Sequence, residues 1–243
     1  MKSLLSILLF FAIVTSTHAQ FGISAKYQSN KASGWEGKYG GDKDISPTSI
    51  EYGLNYWLRL KNKRVEFLPE LTYASSKASF EDIGFAIELS QFNRTSIGIG
   101  VNTHIYPLDF EGDCNCPTFS KDGNIVSKGF HWIINTGVIS HNIENKLFAP
   151  SLGAREEYTF ENTNQITFRA GLGIGLDIGI TELFTLVPYA MYSRNFGLES
   201  PDLSDLPSAP NPSISTSLDQ LNVGLRLVFR PDYIKSNGGF RRR

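Results

Sequence analysis

The chain has 243 residues, a length that suits one domain of moderate size. Its formal net charge is −1 at pH 7, so the composition gives no indication of a nucleic-acid surface. Gly and aromatic residues are plentiful, whereas Cys and Met are scarce, with two of each.

The N-terminus has the features of a secretory signal peptide. Lys2 supplies the positive charge, residues 4–14 form an apolar segment, and Thr17 and Ala19 are small side chains at the positions before a cleavage site. We therefore predict a signal peptide over residues 1–19 and a mature chain that begins at Gln20. No later stretch is apolar enough for a membrane helix, so contact with a bilayer would require a closed β-barrel.

The predicted elements are all strands, separated by polar, Gly-rich or Pro-rich connections. In chain order the predicted strands cover residues 21–27, 50–60, 65–73, 95–106, 129–140, 166–180, 183–196 and 216–229. The predicted loops cover residues 28–47, 75–93, 107–128, 142–164 and 197–215.

The clearest strand is the sixth, over residues 166–180. Its even positions are all apolar, and its odd positions are Thr, Arg, Gly or Asp. A period of two over this length indicates a strand with two unlike faces. It is long enough to cross a bilayer, which takes roughly 9–11 tilted residues.

The second and third strands predict a hairpin with a definite register. A two-residue turn at residues 62–63 places Leu58 opposite Phe67 on the apolar face and Arg59 opposite Glu66 on the other. A slip of one residue would turn every apolar side chain to the wrong face.

Two local features complete the strand prediction. Pro69 removes a ladder donor, so we expect an irregularity beside it. The facing of the seventh strand stays open. A two-residue turn would send Val187, Tyr189 and Met191 outward, whereas a three-residue turn would send Leu186, Pro188 and Tyr192 outward.

Four features favour a membrane barrel over a secreted soluble barrel, which uses the same alternation. The strands are long, their number is even, and long connections mostly alternate with short ones. The polar face consists of glycines and isolated charges, which suits the packed interior of a small barrel. We therefore predict an all-β protein of the cell outer membrane, an eight-stranded antiparallel up-and-down transmembrane β-barrel over residues 20–230, with a periplasmic C-terminal tail at 231–243.

On this pattern, and most clearly on residues 166–180 and 221–229, the chain resembles the OmpA/OmpX-like eight-stranded outer-membrane barrels. It is similar in particular to outer membrane β-barrel domain proteins such as the PorT-like proteins, some of which are linked to type IX secretion. It differs from the wider family in continuing past Phe229. We expect no peptidoglycan-binding domain after the predicted barrel, so the resemblance does not imply an OmpA-like tether to the cell wall.

Charged residues on the predicted inward face form the main candidate site. They are Glu51, Arg59, Glu66, Glu70, Arg169, Asp177 and Arg226, with His104 near one end. Charges in a narrow interior of low dielectric must be paired. We predict a salt-bridge network that fills the lumen; the alternative is a gated polar path or a paired-carboxylate site.

Both cysteines, Cys114 and Cys116, lie in the predicted connection 107–128. The periplasm favours disulfides, so we expect a local disulfide, ahead of free thiols and of a metal held with Asp109, Glu111 or Asp113. No metal or other cofactor is predicted, because a structural zinc site needs four good ligands.

Ser140 and His141 would lie near the external end of the fifth strand, where some eight-stranded barrels modify lipid A. Adjacent residues on a strand point to opposite faces, so this pair cannot act as nucleophile and base. Gly171, Gly173 and Gly175 lie within a strand and so do not form a phosphate loop.

The function predicted from these observations is non-enzymatic. We expect a structural or accessory subunit of an outer-membrane assembly, with a link to secretion or biogenesis implied by the resemblance. Its partners would be outer-membrane lipid and other outer-membrane or periplasmic proteins. The alternatives are a lipid-modifying outer-membrane enzyme and a soluble periplasmic carrier of the lipocalin type.

Overall fold

The computed structural model describes residues 20–32, 48–60, 63–81, 89–110, 125–151, 154–159, 163–181, 183–199 and 215–229. The predicted signal peptide, the predicted tail and both cysteines lie outside these residues. Within them, no helix has the length and apolar character needed to cross a membrane.

The described chain is almost entirely strand. The elements are β1 (Phe21–Ala32), β2 (Ser49–Tyr56), β3 (Leu58–Arg59), β4 (Val65–Glu81), β5 (Leu89–Ile105), α1 (Ile125–Gly129), β6 (Phe130–Ser151), β7 (Ala154–Thr159), β8 (Thr163–Leu176), β9 (Ile178–Gly179), β10 (Phe184–Glu199) and β11 (Ser215–Phe229).

These strands form one antiparallel sheet that closes on itself, because β11 pairs with both β10 and β1. The pieces β2 and β3 are one barrel strand interrupted at Trp57, and β8 and β9 are another interrupted at Asp177. The short strand β7 pairs with the far end of β6. The result is the predicted eight-stranded up-and-down barrel.

The register fixes the tilt of the strands. Ladder partners lead from Gly22 around the sheet through Glu70, Arg169 and Leu218, and they return to β1 at Ala32, ten residues along the chain. A shear of this size in eight strands corresponds to a tilt of about 40° and a narrow interior that side chains can fill.

The barrel has two unlike ends. The connections that lead from β3 to β4 and from β9 to β10 are short, and this end, where β1 begins and β11 finishes, is called the short-turn end. The opposite end, where β1 finishes and β11 begins, is called the long-loop end.

The predicted hairpin register is confirmed, with Leu58 opposite Phe67 and Arg59 opposite Glu66. The expected irregularity is also found, since the strand breaks at Trp57, close to the ladder position of Pro69. The Trp57 amide instead donates to the Gln20 carbonyl oxygen at 3.1 Å.

The predicted loop 28–47 is wrong at its start, because β1 continues to Ala32, and the predicted loop 107–128 ends in the helix α1. Two other predicted loops are wrong over much of their length. β4 continues to Glu81 and β5 begins at Leu89, so most of residues 75–93 is strand. β6 extends to Ser151 and β7 follows it, so much of residues 142–164 is strand as well. The apolar period is lost there because both faces of these extensions carry polar residues.

The seventh barrel strand, β10, follows the three-residue alternative. Val187 and Tyr189 are buried in the interior, whereas Tyr192 is exposed on the outside. In the turn before it, the amides of Ile180 and Thr181 both donate to the Phe184 carbonyl oxygen.

The polarity of the barrel is the reverse of that of a soluble protein. Ile174 and Leu225 on the outer face are 51% and 52% exposed, whereas Arg169 and Arg226 on the inner face are 5% and 1% exposed. An apolar exterior around a polar interior is the arrangement of outer-membrane barrels. The chain is therefore a membrane-spanning barrel, and the soluble-carrier alternative is wrong because its apolar face would have to line a cavity.

Candidate functional site

The lumen gathers the polar side chains that the sequence placed on the inward face. Glu51, Glu66, Glu70, His104, Arg169, Asp177 and Arg226 are all buried there. Arg59 pairs with Glu66 in the ladder, and its side chain lies outside the described set. The network has three layers along the barrel axis, which are called the central, short-turn and long-loop layers.

The central layer is organised by Glu51. Its carboxylate accepts two hydrogen bonds from Arg169, at 3.1 and 2.9 Å. Lys26 lies at 2.6 Å from Oε1, and Gln28 donates to Oε2 at 2.8 Å. Because Glu51 and Arg169 are 118 residues apart, this contact ties together distant strands across the lumen.

In the same central layer, Glu70 lies on the side of Glu51 that faces the short-turn end, and its contacts link further strands. Ser24 donates to its Oε1 at 2.7 Å, and Asn102 donates to its Oε2 at 2.9 Å. The Arg226 guanidinium is 4.0 Å from Oε1 and donates to Nε2 of His104 at 3.0 Å. An arginine has donors only, so Nε2 is the unprotonated nitrogen of that histidine.

The short-turn layer centres on Tyr106. Its hydroxyl lies 2.8 Å from Oε2 of Glu66 and 2.9 Å from Oδ2 of Asp177. The Trp57 indole donates to the same Glu66 oxygen at 2.7 Å. A hydroxyl has one proton to donate, so this single group is shared between two carboxyl groups. The two strand interruptions, at Trp57 and Asp177, both supply side chains to this layer.

Two histidines stack between these layers. The rings of His104 and His131 lie 4.3 Å apart and nearly parallel. Nδ1 of His131 is 2.9 Å from the Gly129 carbonyl oxygen and 3.7 Å from Oδ1 of Asp177. The stack thus fills the lumen beside the tyrosine.

A cap follows at the short-turn end. Arg64 forms an ion pair with Asp109 and stacks over the Tyr106 ring, with its guanidinium carbon 4.0 Å from the ring centre. Lys128 approaches Asp109 at 3.6 Å, and the Arg64 amide donates to the Phe110 carbonyl oxygen at 2.9 Å. The first residues of the Cys-bearing connection therefore fold against this end of the lumen.

The long-loop layer contains His141, which is buried between two hydroxyl groups. Its Nδ1 is 2.8 Å from Oγ of Ser96, and its Nε2 is 3.0 Å from Oγ1 of Thr167. Ser140 is exposed on the outer face, so it points away from His141 as its position predicts. Arg94 lies in this layer too and is 3% exposed.

Sequence reasoning missed several members of the site, namely Lys26, Trp57, Arg64, Arg94, Ser96 and Tyr106. A signal existed for Lys26, which alternates with the apolar residues of the first strand. Arg94 falls next to the predicted loop 75–93, and its neighbours depend on pairings across long connections.

The contacts of the interior side chains are more typical of a stabilising network than of a catalytic or metal site. The His141 contacts join a serine, a histidine and a threonine, and the described residues place no carboxylate against the imidazole to orient it, as a catalytic triad requires. Within the described ranges, no three His, Cys, Asp or Glu side chains are grouped to hold a metal ion.

No protein-family model matches the sequence, and no curated protein matches it. Similar solved structures include a major outer membrane protein from Thermus thermophilus, with 11% identity, 87% of this chain and 99% of that chain covered, and a TM-score of 0.46. Ail of Yersinia pestis has 14% identity, with 87% and 98% covered and a TM-score of 0.42. The Escherichia coli protease OmpT has 7% identity, with 89% and 97% covered and a TM-score of 0.39. These likenesses are low, so the assignment to a membrane barrel rests on the closed sheet and its inverted polarity.

Proposed function

We propose that the protein is a non-enzymatic outer-membrane barrel that serves as a structural or accessory subunit of a larger outer-membrane assembly. The observation that carries this proposal is the filled lumen. Ion pairs and hydrogen bonds cross the interior in three layers, which supports a lumen packed with side chains and not an open pore.

The extensions at the long-loop end supply a surface for partners. A transmembrane strand needs roughly 9–11 residues, whereas β6 has 22. The pairing of β4 with β5 continues to Glu81 opposite Leu89, and β6 pairs with β7 as far as Ser151 opposite Ala154. About half of β6 therefore projects beyond the membrane, together with the neighbouring strands. Membrane insertion alone does not require strands of this length.

Orientation follows from the connections. Barrels of outer membranes keep short turns in the periplasm and long loops outside. In this orientation the extended strands face the exterior, and the connection 107–128 faces the periplasm. Both surfaces are then available to protein partners.

Native isolation tests the proposal. The tagged protein is purified in mild detergent from its own host, and the proteins that come with it are identified. A variant in which residues 146–159 are replaced by a short Gly-Ser turn is the comparison. We expect defined partners with the natural protein and their loss with the variant, while both barrels keep the heat-dependent shift in gel mobility.

Three outcomes would count against the proposal. A protein that purifies alone under every mild condition has no assembly to belong to. Steady ion conductance in planar bilayers would show that the lumen is open. A change in lipid A mass between cells with and without the protein would favour the lipid-modifying alternative.

The cysteine pair adds a separate prediction. In the oxidising periplasm we expect Cys114 and Cys116 to form a local disulfide. Alkylation of the denatured protein should then add no mass before reduction and two alkyl groups after it. Two alkyl groups before reduction would show free thiols.

A further inference from the structure

Arg94 occupies an unusual position in the long-loop layer. It lies on β5, with Ser76 and Ile143 as its ladder partners on the neighbouring strands. Its side chain faces inward and is 3% exposed. The same face of β5 carries Ser96 two residues further on, the hydroxyl that contacts His141.

No described group forms a hydrogen bond or an ion pair with the Arg94 guanidinium. The charges that act on it are Arg169, which repels it, and Glu51, which attracts it. The Glu51 oxygens are already occupied, because Lys26 and Arg169 contact Oε1 and Arg169 and Gln28 contact Oε2. Glu51 therefore cannot serve as the counter-ion of Arg94.

The charge balance of this half of the lumen points the same way. Lys26 interacts with both Glu51 and Glu70. From Glu51 to the long-loop end, the described inward charges are Arg94 and Arg169 against Glu51. A buried ion without a partner is costly, and proteins pair such groups or bind a counter-ion. This region therefore has a surplus of positive charge that an anion would neutralise.

The neighbouring hydroxyls can take part. A neutral imidazole donates through one ring nitrogen and accepts through the other. Of Ser96 and Thr167, which bracket His141, one must therefore accept from the ring, and its own proton stays available to an anion. A guanidinium also matches the planar fork geometry of carboxylate and phosphate groups.

We propose that the long-loop half of the lumen is an oxyanion site, with Arg94 as its main contact. The ligand class is a phosphate, sulfate or carboxylate group, free or carried by a small solute. It would enter from the long-loop end, because the opposite end is closed by the cap of Arg64 and Asp109. The site is independent of the accessory role proposed above.

The test is a thermal unfolding experiment on the purified full-length barrel in non-ionic detergent, followed by the shift in gel mobility. Sulfate, inorganic phosphate and acetate each replace chloride at constant ionic strength. We expect a saturable rise in the midpoint, on the order of 5–10 °C when the anion is at about a hundred times its dissociation constant. A larger effect of acetate than of sulfate would identify a carboxylate ligand, and the reverse would identify a tetrahedral oxyanion.

Substitution gives the decisive comparison. Arg94→Gln should abolish the response and leave the midpoint in chloride equal to or above that of the natural protein, because an unpaired buried charge is removed. Arg94→Lys should keep a weaker response, since a lysine is a point charge without the fork. The control is Lys77→Gln, which removes an exposed outward charge one residue beyond Ser76 and should leave the response intact.

Two results would overturn the proposal. An equal rise with Arg94→Gln and the natural protein would place the anion elsewhere. A lower midpoint for Arg94→Gln in chloride, with no response of the natural protein to any of the three anions, would mean that the chain itself supplies a counter-ion to Arg94.

Discussion

Glu51 offers the sharpest test of how this barrel is held together. The substitution Glu51→Gln keeps the size of the side chain and removes its charge. Lys26 at 2.6 Å and Arg169 at 2.9 Å then lose their shared counter-ion, and both remain almost fully buried. Removing one partner of a buried ion pair costs about 3–5 kcal/mol, because the other charge is left uncompensated. Here two charges are left, so the upper part of that range is expected.

Substitution of the base, Arg169→Gln, should lower the free energy of unfolding by less than Glu51→Gln does. This difference between the two variants is the essential prediction. In Arg169→Gln the carboxylate keeps Lys26 and the hydrogen bond from Gln28. The loss is then closer to that of a hydrogen bond to a charged group, about 1.5–3 kcal/mol. Removal of the acid should therefore destabilise the barrel more than removal of the larger base.

Urea unfolding in lipid vesicles, followed by tryptophan fluorescence, measures both changes. Asp219→Asn is a control, because it breaks the ion pair with Arg194 on the outer face, where an exposed pair contributes little. If Arg169→Gln were as costly as Glu51→Gln, or if Glu51→Gln behaved like the surface control, the reasoning from buried charge would be refuted.

Two further predictions test the outer face and the short-turn layer. Leu225→Arg should destabilise the folded barrel in lipid vesicles by about 2–4 kcal/mol, because it places a charge on the lipid-facing surface. Ser140→Arg, at an outward position near the long-loop end, should lower the free energy of unfolding clearly less. Equal losses in the two variants would contradict the placement of lipid around Leu225. Tyr106→Phe should lower the free energy of unfolding by about 1–3 kcal/mol, because the carboxyl groups of Glu66 and Asp177 lose their shared hydroxyl; an unchanged urea midpoint would show that these acids do not depend on it.

The hairpin of β2, β3 and β4 shows how far sequence reasoning reaches. Its register follows from a turn of fixed length between two alternating runs, and Leu58 indeed lies opposite Phe67. The contact between Ser96 and His141 could not be predicted from the sequence, although Ser96 lies on a predicted strand and His141 directly follows another. Their strands are joined by a long connection, and no local rule sets the register across it.

The ends of several strands were predicted wrongly for a different reason. Within the membrane the outer face must be apolar, and the alternation that this creates marks the strand. Beyond the membrane both faces meet water, so the extensions to Glu81 and Ser151 leave no periodic signal even though the hydrogen-bond ladder continues.

The sequence by itself determined the number of barrel strands, the faces of seven of them and the polar character of the interior, because lipid imposes a period of two on every crossing. Only the tertiary structure decided which interior charges meet. A shear of ten residues brings Glu51 to Arg169 across the lumen and leaves Arg94 without a counter-ion among the described residues. Closure of the barrel sets those neighbours, and closure is a property of all eight strands together.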